Sequence, residues 1–149
     1  NLTDGEMAGL YDSSIVNSYV STSHGEGFGL PIFEAAASGV PLVAPNWGGY
    51  VDYTNFKPTT KSKQQKPHFL TVDYEVKPVQ EEAVWTGVIE RGTKWCHVDL
   101  PDLKVKMRDM YSNFDKHVKV ANKLKKHITN TYSEDLQNSL LINSIKEIL

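Results

Sequence analysis

Apolar positions in the first half of the chain come as short runs separated by small and polar residues. From about Asp99 onward they recur at three- and four-residue intervals. The first pattern is that of βα units around a parallel sheet, the second that of amphipathic helices. Asp4 to Tyr11 predicts a short helix and Ile15 to Ser21 a strand, which Asn17 and Ser18 weaken as poor strand formers. Gly25-Glu26-Gly27-Phe28-Gly29 predicts a turn into a helix from about Pro31 to Ser38, with Gly39 as its left-handed stop. Val40 to Ala44 follows as a buried strand. Pro45-Asn46-Trp47-Gly48-Gly49 is a second glycine-containing turn, opening a short helix through Tyr50 to Tyr53. His68 to Val76 predicts a strand, because Phe69, Thr71, Val72, Tyr74 and Val76 suit a pleated surface.

Three helical faces close the chain. Leu103, Met107 and Met110 mark the first, Phe114, Val118, Ala121, Leu124 and Ile128 the second, and Leu136, Leu140 and Ile148 the third. Ser133 suits an N-cap, with Glu134 and Asp135 favourably placed in the first turn after it. Lys116, Lys119, Lys123, Lys125 and Lys126 make the middle helix basic, and the plain reading is a solvent face rather than an anion-binding one. Residues 57 to 67 hold four lysines, two prolines and no acid, without apolar periodicity, which predicts a mobile loop or insertion. Its lysines 57, 61, 63 and 66 read as solvated side chains in preference to phosphate contacts.

At 149 residues the chain suits one domain and is too short for two full-sized α/β domains. A formal net charge of -2 leaves no electrostatic footprint for nucleic acid. Cys96 is the single cysteine, so an intrachain disulfide is excluded, and the residue is expected to be a small buried hydrophobe. No apolar run suits an integral membrane segment and no leader pattern is present, so the expected location is the cytoplasm, free or peripheral to a membrane. Asn1-Leu2-Thr3 fits a glycosylation acceptor, a pattern short enough to arise by chance.

The chemistry concentrates between Ser23 and Ala35. A helix that starts after a glycine-rich turn points unpaired N–H groups and the positive end of its dipole into the turn. That attracts phosphate, with the dipole contributing about 0.3 to 2 kcal/mol. Glu26 and Glu34 would repel phosphate, and they suit sugar hydroxyls instead. Helical side chains tilt toward the N-terminus, so Glu34 leans back over the turn and can accept from a vicinal diol such as that of ribose, while Glu26 meets a transferred sugar. Each feature has a plainer reading: glycines for a tight turn, Glu34 favouring the dipole, His24 as a surface histidine.

Glu26, seven intervening residues and Glu34, wrapped around Gly-Phe-Gly-Leu-Pro, resemble the motif of retaining GT-B glycosyltransferases, family 4 above all. The continuation Glu34-Ala35-Ala36-Ala37-Ser38-Gly39-Val40-Pro41-Leu42-Val43-Ala44 and the Trp47-Gly48-Gly49 turn extend the resemblance over residues 9 to 53. Trp95 to Leu103 and Met107-Arg108 resemble, more loosely, a helix start in some members. Where many members carry Glu after the second glycine turn, this chain has Asp52, which takes no role.

The resemblance implies an α/β fold: a Rossmann-like parallel sheet flanked by helices, as in the C-terminal domain of a GT-B fold, with a helical C-terminal part. Residues 1–149 are then a single nucleotide-sugar-binding domain lacking its first βα elements and the N-terminal acceptor domain. It further implies that Glu34 binds the nucleotide ribose, that Glu26 contacts the donor sugar, and that the amides of Gly27, Phe28, Gly29 and Leu30 contact sugar or diphosphate; His24 is a second-tier donor contact. The implied activity is a retaining hexosyltransferase, metal-independent and without cofactor. Its donor is a nucleotide diphosphate sugar, and its acceptor is a glycan, lipid or protein hydroxyl reached through the N-terminal domain. Two alternatives stand beside it: a nucleotide-sugar-binding fragment inactive alone, and a glycan synthase of the same fold. A phosphorylase would need a pyridoxal-bearing lysine, which the sequence does not identify.

Overall fold

The computed structural model describes residues 3–13 and 15–146. Asn1 and Leu2 of the glycosylation pattern, and Ile148, lie outside them. The chain is mixed α/β. Helix α1 (Asp4–Asp12) is closed by a capping box, Thr3 accepting from the Glu6 amide and Glu6 from the Thr3 amide. Strand β1 (Tyr19–Val20) leads through the first glycine turn to α2 (Leu30–Ser38), then β2 (Leu42–Pro45), a short helix α3 (Val51–Thr54) and a small antiparallel pair, β3 (Asn55–Phe56) with β4 (Lys66–Pro67). Strand β5 (Leu70–Val72) completes a parallel sheet in the order β1-β2-β5. A hairpin follows, β6 (Tyr74–Pro78) against β7 (Lys94–Val98), and then α4 (Leu100–Ser112), α5 (Phe114–Thr131) and α6 (Glu134–Lys146).

All four β2 residues are buried, as a central parallel strand covered on both faces must be. Leu42 and Ala44 join Ile32, Ala35 and Ala36 of α2 and Leu124 and Ile128 of α5 on one face. Val43 points the other way, to Val72 and to Met110 of α4. The small Ala35 and Ala36 let α2 approach closely. Gly39, at φ 85°, ends it, with paired bonds from the Gly39 and Val40 amides to the Ala36 and Ala35 carbonyls.

Several expectations need correction. Strand β1 is two residues, not the seven from Ile15 to Ser21; its partner starts only at Leu42, after Pro41. The stretch from His68 to Val76 is two strands in different sheets. Asp73 separates them, its N–H donating to Asp102 Oδ2 at 2.8 Å and its carbonyl accepting from the Asp99 amide at 2.8 Å, so the start of α4 takes both of its backbone groups. Trp95 to Val98, grouped in the sequence with a helix start, belong to β7; the helix begins at Leu100, where the Asp99 side chain accepts from the Asp102 amide at 2.8 Å.

On α4, Met107 is exposed while Leu103 and Met110 pack inward. The α5 stripe holds at Ala121, Leu124 and Ile128, which are buried, while Phe114 and Val118 are half-buried and His117, outside the expected stripe, is buried. Lys125 does more than face solvent, donating to the Ser38 carbonyl at the end of α2 at 3.2 Å. Ser133 does accept from the Leu136 amide, at 3.4 Å. On α6 no described residue is buried: Leu136, Leu140, Leu141, Ile142 and Ile145 point to all sides of the helix rather than forming one stripe. Among the described residues no helix is long and apolar enough to cross a membrane. Cys96 is fully buried, which pushes its thiol pKa up.

The loop of residues 57–67 is tied at its ends by the β3–β4 pairing, and its four lysines are exposed. Phe56 at its base is stacked between His68 and His127, ring centroids 3.4 and 3.9 Å away. Burial pushes both imidazoles below the ordinary histidine range. The unfolded chain then binds these protons more tightly than the folded one. Their contribution to stability is full above the unfolded value of about 6.5 and is lost as pH falls through the lowered folded values.

Replacing His68 and His127 together by Gln is expected to flatten the acid-side fall in unfolding free energy below about pH 6.5, read by urea denaturation at several pH values. In the same assay Leu124→Ala, in the core between α2 and α5, should cost about 2 to 5 kcal/mol. Leu141→Ala, on exposed α6, should stay within about 0.5 kcal/mol.

Candidate functional site

Two glycine turns, each leaving the C-terminal end of a parallel strand, make the site. The first, residues 24–29, follows β1, and the second, residues 46–49, follows β2. Ligands of open parallel sheets gather at such strand ends. The turns dock on each other: the Gly49 N–H donates to the Glu26 carbonyl at 2.9 Å, and a Cβ on Gly49 would overlap the Gly27 carbonyl. Gly48 sits at φ 102°, where a Cβ would approach the Glu26 carbonyl within 3.2 Å.

All but one of the carbonyls of the first turn are taken by protein donors; that of Gly27 has none among the described residues. Glu26 accepts from Gly49. Phe28 and Gly29 both accept from the Tyr53 hydroxyl, at 3.1 and 3.0 Å, and Gly29 also accepts from the Phe33 amide at 2.9 Å, the first bond of α2. The Tyr53 ring is wedged among Phe28, Phe33 and Tyr132. Tyr50, whose hydroxyl donates to the Pro45 carbonyl, supports the second turn from below. Burial, and after it neighbouring groups that include the Glu26 carboxylate, push both phenols far above the usual tyrosine value, so they stay protonated as donors.

The amides are another matter. The N–H groups of Glu26, Gly27, Phe28, Gly29 and Leu30 donate to nothing among the described residues. Gly29 caps α2 in the left-handed conformation, φ 76°, with no side chain closing the helix start. Helix α2 begins at Leu30, one residue before the expected Pro31, which makes Glu34 its fifth residue. Glu34 is therefore past the first turn, where the helix dipole has faded, and simple dipole stabilisation explains its position poorly.

Glu26 and Glu34 are both half-buried, and neither carboxylate forms a hydrogen bond or ion pair among the described residues. Both act on one neighbour. Burial first, then the charges of Glu26 and Glu34, raise the Tyr19 phenol above its ordinary value. Leu30 and Phe28 are exposed. His24 joins the turn to the hairpin, its carbonyl accepting from the Cys96 amide at 3.1 Å and its ring stacking on Trp95.

The site is an open face. A cavity of about 470 Å³ lies beside the second turn, lined by Asn46, Asp73, Tyr74, Glu75 and Asp99 among others. Another, of about 200 Å³, opens at the N-terminal edge of the sheet between Leu42, Leu70 and His117. Glu26 and Glu34 line neither. No group of three or more His, Cys, Asp or Glu converges among the described residues. Both turns are legible in the sequence, whereas the contacts of Tyr53 and Trp95 are not. The signals available were the Tyr50/Tyr53 spacing after the Gly-Gly pair and the alternation of Trp95 and His97 with Cys96 and Val98.

Gly49→Ala is expected to lower the unfolding free energy by about 1 to 3 kcal/mol, since its methyl group has only backbone to displace. Gly25→Ala, with nothing within 4 Å of the new Cβ, should be near neutral in the same denaturation experiment. Set against protein-family models, curated proteins and solved structures, the chain finds no match.

Proposed function

We propose that this chain is the donor-binding domain of a retaining glycosyltransferase of GT-B type, with the parallel sheet and its flanking helices as a Rossmann-like half of that fold. The single observation that carries the reading is the polarity of the first glycine turn. Five of the six carbonyls of residues 24–29 are held by protein donors, while the five consecutive amides from Glu26 to Leu30 have no partner among the described residues, the helix start has no side-chain cap, and the two half-buried carboxylates belong to the turn and to the helix that follows it. Amides and dipole favour an anion; unpaired carboxylates favour hydroxyl donors. A nucleotide diphosphate sugar presents both.

In this reading the amides of Gly27, Phe28, Gly29 and Leu30 hold the diphosphate and stabilise the charge that develops as it leaves. Glu34 accepts from the ribose diol, Glu26 orients the transferred sugar and His24 adds a contact at its edge. Retention follows from attack by the acceptor hydroxyl on the face the diphosphate leaves. Glu26 is a positioning group here, not a nucleophile, and the two-carboxylate scheme of glycosidases does not carry over.

A thermal-shift screen with nucleotide diphosphate sugars tests the ligand class, because a ligand of the native state raises the melting point. Glu34→Ala is expected to weaken the donor that binds by about 10- to 100-fold. Glu26→Gln should lower turnover of the whole enzyme by about 100-fold or more while leaving its unfolding midpoint in place. Unchanged turnover removes the role given to Glu26, and a full panel of donors with no shift removes the reading.

A further inference from the structure

We infer that Trp95 is a positioning residue for His24, and that through it the β6–β7 hairpin aims the Nε2 atom of His24 at a hydroxyl of the bound sugar. The inference rests on the donor site proposed above. Along β7 side chains alternate, so Trp95 and His97 share one face while Cys96 is buried on the other. Cys96 grips His24 twice: its amide donates to the His24 carbonyl at 3.1 Å, and its carbonyl lies 2.5 Å from His24 Nδ1. A carbonyl only accepts, so Nδ1 carries a proton, and in the neutral ring the lone pair then lies at Nε2. Nε2 has no partner among the described residues.

Rotation of the ring is the remaining freedom, and Trp95 removes it. The two rings are nearly parallel, 4° apart in plane with centroids separated by 4.4 Å. The indole is held in turn, its Nε1–H shared between Gln80 Oε1 at 3.1 Å and His97 Nε2 at 3.0 Å. His97 lies across from His24 at 5.0 Å, tilted by 59°. Gln80 and His97 thus fix Trp95, Trp95 fixes His24, and His24 stands two residues ahead of Glu26 at the head of the free amides. A hairpin held only for stability would need the two Cys96 bonds; the locked indole adds orientation to a nitrogen that the protein itself does not use. An acceptor with no proton to give suits a sugar hydroxyl rather than a phosphate oxygen.

Nitrogen-15 NMR of the histidines and calorimetry with UDP-glucose and GDP-mannose test this. His24 is expected to be the Nδ1–H tautomer in the wild type and in Trp95→Phe, which keeps the stack, and to become a mixture in Trp95→Ala. His24→Ala and Trp95→Ala should each weaken binding by about tenfold, the double variant no more than His24→Ala alone, and Trp95→Phe should restore most of it. An Nε2–H tautomer in the wild type, additive losses, or wild-type binding by Trp95→Ala overturns the inference. If neither probe nor any other nucleotide sugar binds the wild type, the donor reading falls, and an unchanged His24 tautomer in Trp95→Ala then overturns the brace separately.

Discussion

Where the Gly49 amide meets the Glu26 carbonyl, two loops from neighbouring strands lie backbone against backbone, with no room for a side chain between them. Much of the site's geometry depends on this contact. With its Glu26 carbonyl bonded to the second loop and its Phe28 and Gly29 carbonyls bonded to Tyr53, the first loop leaves its amides without protein partners. A peptide unit has opposite poles, so anchoring one face of a run of peptides sets the polarity of the other. The run of unpaired amides thus arises without a single cationic side chain in the loop.

Support for that loop comes from both directions along the chain. Helix α2 is held against the sheet by alanines and against α5 by Leu124 and Ile128, so its N-terminus is a fixed point. On the other flank β7 holds His24 through Cys96. The acids enter this frame at half-burial and without protein partners, so their oxygens stay open to water or to a ligand.

Features set by local periodicity were legible in the sequence. The α2 boundaries, the Gly39 stop, the buried β2 and the α5 stripe follow from spacing that only a few neighbouring residues determine. What stayed hidden depends on partners far along the chain. Asp73 breaks an otherwise good strand pattern because Asp99 and Asp102 capture its backbone. Tyr53 bonds to residues 24 and 25 positions earlier, and Trp95 stacks on His24 from the far strand of the hairpin. Helix α6 misled in the opposite sense: its leucines and isoleucines are plentiful enough to suggest a face, and only their angular spread shows that none is formed.

The outer end of the β6–β7 hairpin is built differently from its base. Beyond the Val79 amide, which donates to the Thr93 carbonyl, the backbone bonds of this segment are short-range, as in the reciprocal pair of Trp85 and Ile89, and the ion pair of Arg91 with Glu81 closes on the same segment. The five-residue register below anchors β7 to β6 without help from that end. Ring-closure entropy rises only slowly with added residues. The tip can therefore lengthen, shorten or exchange its exposed Trp85 and Val88 while the strand bonded to His24 keeps its place, so changes at this rim leave the turn beneath it undisturbed.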